Sequence, residues 1–402
     1  MNPYRMAMPP RSWETRLRPR LVRLLRRFRR WKRVQDQRLI DVEVRGRERL
    51  VDLLKGNVGL LLTPNHSTHA DPFTMYELAD QVDRPFHFMS TWHVFEAQNR
   101  VGQRMLQWHG VFSVDREGND LKAFKQAVNI VQTDRHPLVI FPEGEVYHCN
   151  DKVTPFRDGP AAIALAAARR AERPVMCVPV ALKYRYLDDP MSELLEVMEK
   201  LEREVFWRPR PERPLVERIY SLAEALLVLK ELEFLGAARS GAIVARLQGL
   251  AEHVLGAAEQ RCGIAPPAGT TIPERVKAVR RAALEKLESH AEHDPQRTAI
   301  RNVLDDAFFV VQLFSYPGNY LTENASIERL AETIDKLEED VLGKYSATIR
   351  SRRAVTVAIG EPIAAASEKG NKNAVGELTE TLERRVQALL DELNGSQTAA
   401  TP

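Results

Sequence analysis

The sequence predicts an α/β fold: a mostly parallel sheet flanked by helices, with an N-terminal amphipathic helix and a large all-helical insertion. Three observations predict it. From about 40 to 184, short apolar runs alternate with stretches of helical periodicity, the signature of a layered fold with parallel strands. Over 188–350 the strand patterns vanish and only helical ones remain. At Arg353–Ile363 a strand pattern returns, so the helices are spliced into the α/β domain rather than appended to it.

The elements follow in chain order. Residues 1–38 form a basic arm with 13 Lys and Arg against two acids, a charge of +11, which leaves −8 on the remainder of a chain of net charge +3. A helix is expected just after Pro19, because proline suits a first helical turn. Leu21, Leu24, Leu25, Phe28 and Trp31 fall on one face of it, and Arg23, Arg26, Arg27, Arg30 and Arg33 on the other. A Leu/Phe/Trp face backed by arginines suits a helix lying in a membrane surface. A basic helix packed on the core, or an arm for nucleic acid, would show the same arginines. No base-stacking module follows, so nucleic acid is not expected as a partner.

Strands are expected at Gly59–Thr63, Phe86–Ser90, Val111–Val114, Leu138–Phe141 and Met176–Leu182. Helices are expected at Phe73–Asp80, Val101–Trp108, Leu121–Asp134 and Pro160–Ala171. The first part of the α/β domain thus spans 39–187. Asp189-Pro190 opens the helical insertion, 188–350, with helices to about Trp207 and then near 215–235, 240–261, 273–290, 295–315 and 326–346. No fixed-period repeat is evident in it. A closing strand and a last helix, roughly 373–393, complete the domain over 351–394, and 395–402 reads as a disordered tail.

Composition narrows the class. Charged residues at 28% and hydrophobic ones at 44% are ordinary for a globular protein. Three scattered cysteines, Cys149, Cys177 and Cys262, make neither a disulfide framework nor a zinc ribbon. No run reaches the roughly 18–20 apolar residues that a transmembrane helix needs. Arginines interrupt the one early apolar stretch, which argues against a cleaved signal peptide; an Arg-rich, acid-poor arm would also suit a mitochondrial transit peptide, though Ser12 is its single serine.

Three loops could carry chemistry. Asn65-His66-Ser-Thr-His-Ala-Asp71 follows the first predicted strand. A histidine with a carboxylate on its far nitrogen is a good general base near neutral pH, and five positions within a turn allow that contact. The same stretch, with His69, reads as H-x-x-H-x-D, a metal-ligand alternative that lacks the helical spacing of zinc proteases and would need His148 and Cys149 besides. Ser67 and Thr68 lie in no nucleophile elbow. Phe141-Pro142-Glu143-Gly144 follows another strand, and Gly144 would let backbone approach a ligand. Gly110–Arg116 ends on an arginine suited either to phosphate or to an ion pair with Asp115 or Glu117.

In this order, Asn65–Asp71, Gly110–Arg116, Phe141–Gly144 and Val178-Pro179-Val180 resemble the four blocks of the glycerolipid acyltransferases, typified by the 1-acylglycerol-3-phosphate acyltransferases. Val355–Ile363 resembles the Gly-Glu-Pro-Ile strand that follows the fourth block. The resemblance implies transfer of an acyl chain from acyl-CoA or acyl carrier protein to a glycerolipid hydroxyl, with no metal and no further cofactor. It implies His66 as base and Asp71 as its orienting partner, the H-x4-D pair. Arg116, Glu143 and Gly144 would bind the glycerophosphate part, and Asn65, Gly110, Pro142 and Pro179 would be structural.

The implied partners are the lipid acceptor, the acyl donor and membrane-surface lipids. The implied location is peripheral, on the cytoplasmic side of a membrane, with no span. Departures exist. Glu145 stands where the family often has Thr or Ser, and a carboxylate there could repel phosphate. The lysine common before the second block is not evident between Ser90 and Glu96, and the helical insertion is foreign to the minimal domain. Glu145 and the missing lysine motivate an alternative: a non-catalytic lipid-binding scaffold whose helical insertion holds a protein partner. Lys152 and Arg157 read as surface charges that could supply basic contacts instead.

Overall fold

The computed structural model describes residues 10–116, 120–170, 172–290, 294–314, 316, 321, 325–366, 371 and 373–398. The chain divides into two compact units, a helical one over Met191–Thr348 and an α/β one over Arg11–Pro190 with Ile349–Pro402.

Among the described residues the α/β unit holds eight strands: β1 (Leu39–Arg45), β2 (Gly59–Pro64), β3 (His87–Thr91), β4 (Val111–Val114), β5 (Leu138–Val139), β6 (Val175–Tyr186), β7 (Arg353–Ile359) and β8 (Ile363–Ala364). Their order is β1-β7-β6-β2-β5-β3-β4, with β8 beside β6. Strands β6, β2, β5, β3 and β4 are mutually parallel, and β7 and β8 run antiparallel to β6. The sheet is therefore mixed at the edge where the chain returns, as expected for mostly parallel pairing. Side-chain alternation along β2 divides the core. Leu61 packs under the helices Leu121–Thr133, Gly159–Ala168 and Ala374–Thr398, while Leu60 and Leu62 pack on the opposite face against Arg47–Lys55 and Asp71–Gln81.

Several expected boundaries move. β1 was absent from the sequence reading because it is an edge strand carrying Asp41, Glu43 and Arg45, with only Leu39 and Val42 buried. The helix expected from Phe73 begins at Asp71, so Pro72 lies in its first turn. The last helix runs to Thr398 through part of the expected tail; residues 399–402 lie outside the described residues.

The N-terminal helix breaks into Pro19–Leu24 and Arg26–Gln37. At the break, Arg29 Nη1 donates to the Val22 carbonyl at 2.5 Å, a side chain entering the backbone ladder. Three of its arginines are engaged by the protein's own acids. Arg26 meets Asp83 at 2.7 Å, Arg29 meets Asp80 at 2.6 Å and Arg30 meets Glu77 at 2.8 Å, all on or just beyond the helix Asp71–Gln81. The apolar face turns outward: Leu24 is 78% exposed, Phe28 52% and Trp31 57%. These arginines thus pair with acids of the chain itself, on and just beyond the helix Asp71–Gln81.

In the helical unit, Leu250, Val254, Leu255, Val279, Ala283, Leu304 and Val310 form a separate core. Where the sequence showed no repeat, the structure has a recurring clasp. Arg218 is bidentate to Glu202, Arg246 to Glu231 and Arg275 to Glu259, at separations of 16, 15 and 16 residues. In the first two, the same carboxylate also accepts a backbone N–H from eight residues on, at Arg210 and Arg239. Each clasp ties the end of one helix to the start of the next.

Candidate active site

Parallel strands deliver their C-terminal loops to one sheet edge, where ligands bind in such folds. β2 ends at Pro64 and leads into Asn65-His66; its neighbour β5 ends at Val139 and leads into Phe141–Gly144; β4 leads to Arg116. Loops far apart in sequence thereby meet.

Asn65 extends the sheet after β2 stops. Its side-chain amide accepts from Leu182 N at 2.7 Å and donates to Leu182 O at 3.1 Å, standing in for the next strand residue. Asn150 repeats the device two residues along β6, on Tyr184. The sequence reading missed Asn150 because no local pattern marks a side chain that completes a distant strand.

With Asn65 fixed, His66 Nδ1 lies 2.8 Å from Asp71 Oδ2. Asp71 is fully buried at the helix start, and the same oxygen accepts the Thr68 N–H at 3.1 Å. The imidazole stacks on Phe141 at 4.1 Å between ring centres. An acceptor on Nδ1 places the proton there and leaves Nε2 as the basic nitrogen. His69 is not part of this pair; its ring meets the edge of His148 at 5.8 Å. Tyr184 Oη, 2.7 Å from Thr74 Oγ1, is buried, and its pKa lies well above the ordinary value through that burial and the nearby Asp71 charge.

Glu143 locks the second loop to the first. Its Oε1 accepts the His66 backbone N–H at 2.7 Å, and Oε2 accepts from Thr154 N at 3.1 Å and from the Thr154 hydroxyl. Burial pushes its carboxyl up from 4.5 to about 8, against the opposing effect of these donors. A carboxyl raised on folding makes the native state bind the extra proton between those values, so its stabilising contribution is full below pH 4.5 and is lost as pH rises toward 8. Glu143→Gln should flatten that part of the stability–pH curve, measured by denaturant unfolding at pH 5, 6.5 and 8; an unchanged slope would place the proton elsewhere.

Gly144 has φ +78°, and a Cβ there would come within 2.5 Å of Arg157 Nε, so the turn takes glycine. Arg157, read from sequence as a surface charge, instead packs behind this turn. Arg116 donates to Gly144 O and pairs through Nη2 with Glu145 at 2.9 Å; Glu117, the other acid considered for it, lies outside the described residues. Burial works to raise the Glu145 carboxyl, but the Arg116 charge and hydrogen bond outweigh it and hold it below the usual range. Gly110, φ +88°, lies where a Cβ would come within 2.4 Å of Phe86 O, so the turn ahead of β4 takes glycine. Pro142 accepts the Arg157 N–H at 2.9 Å. Pro179 sits where β6 changes partner, after the Cys177–Ile363 pair and before Val180–Ile359.

The site therefore unites an imidazole–carboxylate pair, a buried carboxyl clamping two loops, and an arginine closed onto a glutamate. Residues 41–183 match the family model described as Acyltransferase. No curated protein matches the chain. The family match supports an acyltransferase activity in general.

Proposed function

We propose that this chain, which carries an acyltransferase-family domain over residues 41–183, moves a fatty acyl group from acyl-CoA or acyl carrier protein to a glycerolipid hydroxyl at a membrane surface. The observation that carries the reading is the 2.8 Å contact of His66 Nδ1 with buried Asp71, held in place by the Glu143 clamp. His66 Nε2 takes the acceptor hydroxyl's proton as its oxygen attacks the thioester carbonyl. The C–O bond forms, the C–S bond breaks, and the proton passes to the departing thiolate. Asp71 orients the ring and stabilises the imidazolium. A thioester is an activated donor, so one positioned base and an oriented acceptor suffice without a covalent enzyme intermediate. No metal or other cofactor enters this scheme. Purified protein supplied with acyl-CoA or acyl carrier protein thioesters and a panel of lyso-lipids tests it; thiol release that depends on the lipid supports transfer, and none with any pair contradicts it.

The exposed Leu24–Phe28–Trp31 face supports membrane docking. Among the described residues no helix is long and apolar enough to cross a membrane. Each large side chain buried contributes about 1.5–3 kcal/mol. Because Arg26, Arg29 and Arg30 are engaged by Asp83, Asp80 and Glu77, apolar insertion dominates over attraction to headgroups. The double variant Phe28→Glu, Trp31→Glu should lose vesicle cosedimentation by about tenfold or more. Raising salt from about 0.1 to 0.5 M should cost wild type much less, since screening acts on charges alone. The reverse ranking would assign binding to the arginines.

A further inference from the structure

The contact between Arg116 and Glu145 bears on which lipid the site accepts. Arg116 is the cation that the family resemblance assigns to the acceptor's phosphate. In this chain one of its terminal nitrogens donates to Gly144 O and the other lies 2.9 Å from Glu145 Oε2. Their side chains are 12% and 29% exposed, so the pair is largely shielded from solvent. Glu145 is also close enough to His66 for the imidazole's charge to act on its carboxyl. Glu143, two residues before it, holds the His66 backbone. Glu145 thus stands beside the reacting centre with its negative charge on the guanidinium that a phosphate would use.

We propose that Glu145 is an internal substitute for the acceptor's phosphate, and that the site selects a glycerolipid alcohol carrying an uncharged group there, such as a monoacylglycerol, over a phosphate monoester. The inference rests on the acyl-transfer reading and deepens it. A carboxylate and a planar guanidinium match each other's geometry, so Arg116 is neutralised at no cost in ordering a ligand. A phosphate dianion entering the same place would have to displace Glu145 and then lie next to it. Like charges brought together in a shielded site are a common device for rejecting the wrong ligand. A neutral alcohol meets no such opposition, and Arg116 still braces the Gly144 turn.

The test has a binding arm and a turnover arm, on the full chain. In the first, glycerol 3-phosphate is titrated calorimetrically into wild type, Glu145→Ser and Glu145→Gln. The inference expects affinity to rise by about tenfold or more in both variants, as a repulsive neighbour is removed. Equal affinity in all three overturns it, whether or not the protein transfers acyl groups. In the second, kcat/KM is compared for monoacylglycerol and lysophosphatidic acid with one acyl donor. Wild type should favour monoacylglycerol, and Glu145→Ser should shift the ratio toward lysophosphatidic acid by about tenfold. A wild-type preference for lysophosphatidic acid that the variants leave unchanged or strengthen overturns it. Tighter glycerol 3-phosphate binding in the variants with no turnover on any acceptor would uphold the charge substitution while refuting acyl transfer.

Discussion

His66→Ala is expected to lower acyl transfer by about 10²–10⁴-fold, the usual contribution of a positioned general base. The ring sits at a loop, 17% exposed and stacked on one face against Phe141, so its removal opens little core and the protein should remain folded. Asp71→Asn should also lose most of the rate for a separate reason. Asp71 Oδ2 accepts both His66 Nδ1–H and the Thr68 N–H. An amide oxygen in that place can still accept both, but the amide no longer offers a charge to the imidazolium. Because the two residues work as one unit, the double variant should be little worse than His66→Ala alone. Initial rates of thiol release and ester formation in the single and double variants measure this. Additive losses would mean that the two act independently.

The largest stability effect is expected in the helical unit. Arg218 and Glu202 are each 1% exposed and joined by two hydrogen bonds of 3.0 and 2.7 Å. Burial works to raise the Glu202 carboxyl, and the Arg218 hydrogen bonds lead the effects that bring it below its ordinary range. Arg218→Met leaves a carboxylate stranded in the interior with the Arg210 N–H as its remaining listener. Breaking such a pair from one side costs about 3–5 kcal/mol. Replacing both partners, Arg218→Met with Glu202→Leu, should recover much of that loss, because the charge that needed compensation is gone. Chemical denaturation of the three proteins tests it. A double variant as unstable as Arg218→Met would show that packing volume, not the stranded charge, sets the cost.

Much of the α/β unit could be read from periodicity because its strands are short, apolar and separated by helices that bury one face. β2, β4 and the long helix Leu215–Leu235 lie where the pattern placed them. β1 escaped because an edge strand needs only one buried face, and its charged residues hide the alternation. The pairing of His66 with Asp71 was legible because both lie in one turn. The clamp by Glu143, the Asn150 contact with β6 and the Arg116–Glu145 pair were not legible, since each joins loops that only the sheet order brings together.

The N-terminal helix shows a different limit. Its wheel gives an apolar face and a basic face, but not which one the protein takes. The answer lies in Glu77, Asp80 and Asp83, three residues apart on the neighbouring element, which fit the arginines and turn Leu24, Phe28 and Trp31 outward. The clasps of the helical unit were equally silent in sequence. Their Glu-to-Arg spacing recurs in a region where charged residues are common, and only burial distinguishes the paired ones.

The central claim is direct transfer: a lipid hydroxyl, deprotonated by His66, attacks the thioester while both are bound. Its most direct test follows free thiol and acylated lipid together, in real time, with purified protein, vesicles and one acyl thioester. The account predicts that thiol appears only when an acceptor lipid is present and in step with ester, one for one, and that His66→Ala lowers both together by about 10²–10⁴-fold. Thiol release at the same rate without acceptor, or undiminished transfer by His66→Ala, would contradict it.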